Sequence, residues 1–554
     1  MKMPDRRSLR KLTVIGCSLL CLAMMAPLLK AIWPITMDDA YITLRHARNV
    51  AEGHGFVYNI GGPRVEGFTN FSLFLFQTAI YALGGNALLA TKILGSLAAF
   101  GTLAITVLFT RDLLRHSEPG DLRATLSPAR WFFAPLILSQ SPMLLVGAIS
   151  GLETTLFAFF LTAASWLVTR LILPREAPAP RLEWIAAGLA LGLATWTRPE
   201  GLAWLLGLTL CGLAIAQWKR LPRRPLLLAA AIGFAMFAAL LAFRLAIYGV
   251  PVPNTYFAKV VGDTGGRVAS GWGYLRDYFF RFQGALLLAV GAAGLLIARE
   301  ARPVLLVLLL GAAGHLAVVA WEGGDWMPGL RLIAPIAGVV AVAAGFTVAR
   351  ALAYLPGRAR YALSLLAPLA LGGLFLLSMR PQMTHTFLEG YTRHFGWEDG
   401  HEAMALWARQ WSLEREEPLT FVITDIGLLG YHNPSMTIID MAGLADPEWA
   451  RVIHKQGLDA RYPVEDVVLD MRPEAIVLVS LRREVPGWGL AINWRVDRDF
   501  YDSPLFHERY ALKGTWTHKD FPNDGYFLHV FLRRDVFDEA PRPEPPQPRA
   551  TVEY

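Results

Sequence analysis

LTVIGCSLLCLAMMAPLLKAIW, residues 12–33, is followed after three residues by Met37-Asp38-Asp39-Ala40-Tyr41. The apolar stretch is long enough to cross a bilayer as a helix, so it predicts a first membrane span. Two adjacent carboxylates are unfavourable at a hydrocarbon boundary, and a chain that keeps them there is expected to use their charge. The alternative is that Asp38 and Asp39 merely end a helix, where acidic residues are common.

The composition of the whole chain favours a multi-pass membrane protein. Of its 554 residues 54% are hydrophobic and only 18% are charged, and apolar runs recur through the first two thirds. The net charge of +7 comes mainly from arginines in short loops, which indicates the positive-inside pattern rather than a nucleic-acid surface. All 3 cysteines lie in apolar stretches, so neither a disulfide framework nor a CxxC metal site is expected.

The basic segments predict the topology. Arg6 and Lys11 indicate a cytoplasmic start and an uncleaved first helix, with the Asp pair on the far side. Later basic segments such as 111–130 also fall in the cytoplasm if the stretch 71–83, at about 13 residues, is an interfacial helix and not a span. An odd number of crossings, about eleven, then places the C-terminal part outside. The predicted spans are 12–33, 88–109, 131–150, 153–173, 184–197, 201–217, 226–247, 284–298, 303–321, 330–352 and 361–379.

With this topology, carboxylates, cations and glycine-containing turns collect in four loops on the outer face. They are the first outer loop (34–87) and the motifs TRPEG (197–201), VPNTYFAK (252–259) and EGGDWMPGLR (322–331). We therefore expect a site at the outer surface of the membrane. Its candidate residues are Asp38, Asp39, Arg45, Glu66, Arg198, Glu200, Asn254, Tyr256, Lys259, Glu322, Asp325, Trp326 and Arg331.

Group transfer at such a site would use a lipid-linked donor, because nucleotide-activated donors are not expected outside the cytoplasm. A phosphate leaving group needs cations to hold its charge. An attacking sugar hydroxyl is helped by a carboxylate base within hydrogen-bond reach. Purely structural roles remain open for four of these residues. An ion pair between Arg198 and Glu200 could close a helical hairpin. Lys259 could extend from an interfacial helix to the membrane surface without binding a ligand, and Trp326 could be an interfacial anchor.

These motifs resemble those of GT-C glycosyltransferases, in particular the terminal arabinofuranosyltransferase group of mycobacteria and its Gram-negative relatives. The resemblance covers most of residues 30–450, and its motifs are specific together but weak singly. Besides TRPEG, NTYFAK and GGDWMPGLR, the matching stretches are DDAYI (38–42), EGHGFVYN (52–59), VEGFTN (65–70), TDIGLLGY (424–431) and DMAGLAD (440–446).

The resemblance implies a polyprenyl-phospho-sugar donor, such as decaprenyl- or undecaprenyl-phospho-arabinofuranose, and a catalytic aspartate in the first outer loop. Either Asp38 or Asp39 is then the expected base or catalytic carboxylate. We favour Asp38, which lies nearer the end of the first span, with Asp39 as a support or metal contact. Arg198, Lys259 and Arg331 are the expected phosphate contacts, and the other candidate residues would bind or support substrate. The acceptor would be a glycan or a protein. Whether a divalent cation takes part is left open, and no cofactor beyond the lipid-linked co-substrate is expected.

The predicted fold class is a multi-pass α-helical membrane protein of the GT-C type with a C-terminal mixed α/β periplasmic domain. Alternating apolar runs at 419–424, 436–439 and 475–479 predict buried strands in that domain. The Pro-rich end predicts a disordered tail. The predicted domains are 1–381, 382–538 and 539–554.

Two other functions compete with glycosyl transfer at the bacterial inner membrane. A transporter or flippase would place polar groups near the bilayer midplane, whereas these spans carry almost no central charge. A binding-only assembly protein would not explain four charged motifs in the membrane half. The lipid bilayer is an expected partner in every case, and nucleic acid is not.

Overall fold

The structure is a computed structural model, and it describes most of the chain. The described ranges are 6–118, 127–174, 178–260, 264–325, 327, 329–381, 398–457, 460–482, 490, 492, 495–517 and 524–542.

Residues 6–381 form a helical bundle. Along the chain its helices are α1 (Arg6–Ile32), α2 (Asp38–Ala51), α3 (Phe71–Ala82), α4 (Ala87–Ser117), α5 (Phe133–Leu138), α6 (Pro142–Ile149), α7 (Thr154–Ile172), α8 (Arg181–Thr197), α9 (Gly201–Trp218), α10 (Arg224–Tyr248), α11 (Asn254–Lys259), α12 (Thr264–Phe280), α13 (Gly284–Ile297), α14 (Arg302–Glu322), α15 (Ala337–Ala351) and α16 (Gly357–Pro381).

Within the described residues, seven helical segments are long and apolar enough to cross a membrane, or up to nine if each of two bent helix pairs is one span. The first pair, Pro128–Leu138 with Pro142–Ile149, bends by 67°, and Pro142 starts the second helix, where proline is tolerated. The second pair, α12 with α13, bends by 72° at Gln283, whose φ of 59° interrupts the helix. Two further predicted spans are helical as well, in α8 and α16. The short stretch 71–83 is the 12-residue helix α3.

The C-terminal domain is built on a five-stranded sheet in the order β2-β1-β3-β5-β4. β1, β2 and β3 are parallel, whereas β5 runs antiparallel to β3 and β4. The three strands expected from the sequence are confirmed, and β4 and β5 were not expected. The strands are β1 (Thr420–Ile423), β2 (Thr437–Asp440), β3 (Ala475–Arg482), β4 (Tyr510–Trp516) and β5 (Asp524–Arg533); the helices are α17 (Ala403–Leu413), α18 (Ile426–His432), α19 (Pro447–Gln456), α20 (Val464–Asp466), α21 (Arg495–Tyr501) and α22 (Pro504–Arg509).

The first residues of the expected disordered tail pack on this domain. Ala540 is buried, and its carbonyl accepts a hydrogen bond from Lys513 Nζ at 3.0 Å. The Pro541 carbonyl accepts another from Trp407 Nε1 at 3.1 Å. Residues 540 and 541 are thus in contact with the domain, and the remainder of the tail, 543–554, lies outside the described residues.

The first outer loop completes the core of the C-terminal domain. Ile42, Tyr58 and Val65 belong to the same buried apolar cluster as the sheet residues. The Tyr58 hydroxyl also donates to the Ile426 carbonyl at 2.6 Å. The domain is thus packed directly against the part of the bundle that carries the Asp pair.

Candidate active site

Asp39 lies at the centre of the candidate site, on the first turn of α2. Its Oδ2 atom accepts hydrogen bonds from Lys259 Nζ at 3.3 Å and Arg331 Nη1 at 3.2 Å. Burial disfavours the charge on Asp39, but Lys259 and Arg331 outweigh burial and hold the pKa of Asp39 below its ordinary value. The side chain is 20% exposed, so an ionised carboxylate faces solvent beside two cations.

Arg331 is held on its other side by Asp325. The Asp325 carboxylate accepts hydrogen bonds from both Nε and Nη2 of Arg331. The turn that leads into Asp325 contains Gly323 and Gly324 with φ of 99° and 74°, a conformation that residues with a Cβ adopt with strain. Burial disfavours the Arg331 charge, but Asp325 and Asp39 outweigh it, so the pKa of Arg331 is raised. This guanidinium is fixed and permanently charged.

Arg198 is enclosed by two carboxylates. It donates to Glu153 Oε1 at 2.6 Å and to Glu200 Oε1 at 2.8 Å. Glu153 also accepts from Asn70 Nδ2 at 3.0 Å, and Asn70 in turn accepts from Thr43 on α2. Glu153 is a site residue that the sequence analysis missed. The available signal was a lone carboxylate between two apolar runs on the outer side.

Asp38 points away from these cations, because consecutive residues on a helix are about 100° apart. Its two carboxylate oxygens accept hydrogen bonds from the backbone N–H groups of Gly427 and Leu428, at 2.9 Å and 2.7 Å. The side chain is 4% exposed. Burial first, and then the neighbouring carboxylate of Asp425, raise the pKa of Asp38. The geometry therefore does not support the expectation that Asp38, rather than Asp39, faces substrate.

Two other expected site residues are buried in structural contacts. Arg45 is fully buried and donates to the carbonyls of Tyr58 at 2.9 Å and Met436 at 2.7 Å. Glu66 forms a buried bidentate pair with Arg244, at 2.8 Å and 2.9 Å. Neither Arg45 nor Glu66 is exposed to a substrate in this arrangement.

Among the described residues, none of the remaining candidates is hydrogen-bonded to the Asp39 side chain. Asn254 is buried at the start of α11, where it contacts the C-terminal domain. Tyr256, one turn before Lys259, is 37% exposed. Glu322 ends α14, within electrostatic reach of Arg198. Trp326 lies outside the described residues.

A cavity of about 320 Å³ opens between α9 and α14, next to Glu200. Glu200 and His315 lie on its wall, and His315 Nε2 is 2.7 Å from the carbonyl oxygen of Leu332, the residue after Arg331. The rest of the wall is apolar or glycine, so the cavity suits an apolar chain. These lining residues are Ala203, Trp204, Gly207, Leu208, Cys211, Val307, Leu310, Gly311, Gly314 and Val318.

The site thus combines an ionised carboxylate, two cations and an apolar cleft on one side of the bundle. Such a set can hold a phosphate, accept a proton and accommodate a lipid tail. Among the residues that the structure describes, no group of three or more His, Cys, Asp or Glu side chains is placed to hold a metal ion.

The fold is similar to that of solved multi-pass membrane enzymes. Crystal structures of ArnT from Cupriavidus metallidurans in the apo state and bound to undecaprenyl phosphate match with TM-scores of 0.57 and 0.52, at 15% and 14% identity. Each match covers 84% of this chain, and 93% and 92% of the ArnT chains. The archaeal oligosaccharyltransferase AglB from Archaeoglobus fulgidus matches with a TM-score of 0.52 at 12% identity, over 85% of this chain and 69% of AglB. The chain therefore has the multi-pass GT-C type of fold with a C-terminal α/β domain.

Sequence comparison confirms the more specific resemblance. The chain is 29% identical over 327 residues to the terminal beta-(1->2)-arabinofuranosyltransferase of Mycobacterium tuberculosis, which covers 54% of this chain and 50% of the relative. It is 29% identical over 351 residues to the enzyme of the same name from Corynebacterium glutamicum, covering 55% of this chain and 46% of the relative. The chain spans about half the length of these curated relatives. Residues 390–531 match a family described as a domain of unknown function (DUF8728).

Proposed function

We propose that this protein is a membrane glycosyltransferase that moves a sugar from a polyprenyl-phosphate donor to a glycan or protein acceptor. We further propose that the sugar is arabinofuranose and that transfer takes place on the periplasmic face of the inner membrane. The sugar is suggested by the names of the two curated relatives. The donor class is suggested by the undecaprenyl phosphate bound to ArnT.

The observation that carries the proposal is the apolar cleft lined by Glu200, the partner of Arg198, and by His315, which contacts the carbonyl of Leu332 next to Arg331. A polyprenyl donor has an apolar tail and an anionic phosphate joined to a sugar. The cleft between α9 and α14 would take the tail, and Lys259 and Arg331 would take the phosphate. The sugar would then lie next to Asp39. Each part of the donor therefore has a chemically matched partner.

In the proposed reaction Asp39 acts as the general base. Its carboxylate removes the proton from an acceptor hydroxyl, and the hydroxyl oxygen forms a bond to the anomeric carbon of the donor sugar. The bond between that carbon and the phosphate oxygen breaks, and polyprenyl phosphate leaves with the electron pair. Lys259 and Arg331 stabilise the charge that develops on the phosphate.

The two cations would also change partners during this cycle. Without donor, Lys259 and Arg331 neutralise Asp39, which makes the carboxylate a weak base. A bound phosphate competes for the same two cations. Asp39 then loses part of its stabilisation, its pKa rises, and it becomes a stronger base at the moment when the donor is in place.

The remaining residues fit supporting roles. Arg198 already has two carboxylate partners, so we assign it to the support of the site rather than to direct phosphate binding. Glu153 links Arg198 to Asn70 and thereby to α2. Asp325 fixes the orientation of Arg331.

The proposal is tested with the purified full-length protein, polyprenyl-phospho-arabinofuranose and a glycan acceptor. Asp39→Asn keeps the shape of the side chain but removes the base, so transfer should fall about a hundredfold or more while undecaprenyl phosphate still binds. Asp277→Asn is the matched control, because Asp277 is a carboxylate on α12 that pairs only with Arg281 among its described contacts. It should retain the wild-type rate.

A near wild-type transfer rate in Asp39→Asn would exclude the carboxylate assignment. If the wild-type protein transfers no sugar, the lipid-linked sugar that accumulates in a deletion strain should be identified by mass spectrometry. Accumulation of a polyprenyl-phospho-hexose would replace arabinofuranose as the donor sugar. An unchanged pool of lipid-linked sugars would contradict the proposed function.

A further inference from the structure

The edge of the C-terminal sheet where β1 and β2 end faces the first outer loop. In open α/β sheets the carboxyl ends of parallel strands are where ligands commonly bind. Here the loops that follow β1 and β2 are filled by side chains of the membrane part. The contacts come from Asp38 on α2 and Asn254 on α11. These two helices carry Asp39 and Lys259, the carboxylate and one of the cations of the site.

The first contact fixes the start of α2. Asp38 occupies the N-terminal end of α18, where free backbone N–H groups favour an anion. Both carboxylate oxygens are used, one by Gly427 and one by Leu428. A Cβ on Gly427 would lie 2.6 Å from Oδ2 of Asp38, closer than side chains tolerate. The fit therefore requires glycine at this position and leaves Asp38 no room to turn.

The second contact fixes the start of α11. Asn254 Nδ2 donates to the carbonyls of Gly443 at 2.8 Å and Leu444 at 2.9 Å, in the loop after β2. Its side chain is buried. At the other end of the helix, the Val260 carbonyl lies 3.2 Å from His454 Nδ1 of α19. The domain thus contacts both ends of the helix that carries Lys259.

We infer that the C-terminal domain is a brace that sets the position of Asp39 relative to Lys259, and that Asp38 is a positioning residue of this brace. The inference rests on the proposed function. Asp38 acts through the backbone of α2, without touching substrate. It also gives the domain of unknown function a role in this chain, because the edge where its parallel strands end holds the start of α2 in the place where such sheets commonly bind a ligand.

Asp38→Asn tests the brace, because an amide can accept only one of the two N–H groups and turns a donor toward the other. The matched control is Asp497→Asn, which changes another buried carboxylate, in the interior of the C-terminal domain. Asp497 accepts from Val479 N at 2.7 Å inside the domain and makes no described hydrogen bond to α2. Both variants should lose stability, but only Asp38→Asn should loosen the start of α2.

The first measurement is hydrogen–deuterium exchange of the full-length protein, which requires no activity. Asp38→Asn should raise exchange in residues 38–51, whereas Asp497→Asn should raise it only in the sheet. Equal exchange of 38–51 in Asp38→Asn and wild type would overturn the brace, whether or not the protein transfers sugar. A failure of the proposed function is seen separately, as absence of transfer by the wild type.

The second measurement is the steady-state kinetics of the two variants. A misplaced Asp39 should lower kcat in Asp38→Asn by about a hundredfold, with the donor KM changed much less. The acid limb of kcat/KM should move to higher pH, because Asp39 moves away from Lys259 and Arg331. Asp497→Asn should keep the wild-type acid limb. Loss of transfer in Asp38→Asn with an unchanged acid limb and unchanged exchange would instead make Asp38 the catalytic carboxylate.

Discussion

Replacing Arg331 by alanine should move the acid limb of kcat/KM to higher pH. The transfer reaction needs Asp39 in its ionised form, which is lost as the pH falls through the pKa of Asp39. Lys259 and Arg331 hold this pKa below its ordinary value, and burial acts in the opposite direction. Replacing Arg331 removes one of the two cations that counteract the effect of burial on Asp39. The pKa of Asp39 must then rise, and activity is lost at a higher pH than in the wild type.

The size of the shift follows from the geometry. A hydrogen bond to a charged group contributes about 1.5–3 kcal/mol. The distance of 3.2 Å between Arg331 Nη1 and Asp39 Oδ2 is longer than that of a strong charge-assisted bond, so the lower end applies. About 1.5 kcal/mol corresponds to roughly one pKa unit. The acid limb should therefore move up by about one pH unit.

The assay is sugar transfer by purified protein from about pH 2.5 to pH 8, a range that extends below the ordinary Asp pKa of about 3.9, with kcat/KM for the donor measured at each pH. The donor KM should also rise, because Arg331 is a proposed phosphate contact, and the total loss at neutral pH should be about ten- to a hundredfold. Lys259→Ala is the comparison: the Lys259 side chain is 45% exposed and its charge is screened by water, so the acid limb of this variant should move less. An Arg331→Ala enzyme with the wild-type acid limb would refute the electrostatic reasoning.

Three further predictions concern topology, the lipid cleft and the bundle. Alkaline phosphatase fused at Glu398 should be active and a fusion at Arg115 inactive; the reverse result at either position would remove the outer-site hypothesis. Gly314 has open space where a Cβ would lie, so Gly314→Phe should fill the cleft and raise KM for a long-chain donor, and an equal effect on a short-chain donor would contradict this. Glu66→Gln leaves the buried Arg244 without its carboxylate and should reduce the free energy of unfolding by about 3–5 kcal/mol, which thermal denaturation would detect as a lower midpoint.

Much of the membrane part could be predicted from the sequence, because hydrophobic length and basic loops are local signals. Each of the eleven predicted spans lies mostly in a helical segment, although only seven described segments, or up to nine with the two bent pairs, are long and apolar enough to cross a membrane. The local signal also located Asp39, Lys259 and Arg331, since each lies in a polar motif at the end of an apolar stretch. Their meeting at one carboxylate oxygen required only that three outer loops converge.

The order of the two aspartates could not be predicted. Asp38 is turned away from the cations by N–H groups at Gly427, which is 389 residues further along the chain. Glu153 was missed for a similar reason, because its partners Arg198 and Asn70 come from other segments. β5 was missed because a buried central strand lacks a clear alternation of polar and apolar residues, and β4 was missed because it is a mostly uncovered edge strand with Lys513 and Gly514 in its middle.

The shared core between the first outer loop and the C-terminal domain has a consequence for biosynthesis. Tyr58 and its partner Ile426 are separated by 368 residues. At about 5–20 residues per second, a ribosome needs roughly 20 to 70 seconds to synthesise the intervening chain. During that interval Ile42, Tyr58 and Val65 have no sheet to cover them, and Asp38 has no backbone amides to bind. A nascent chain therefore exposes an unfinished loop, open to proteases and chaperones, until the last quarter of the protein emerges.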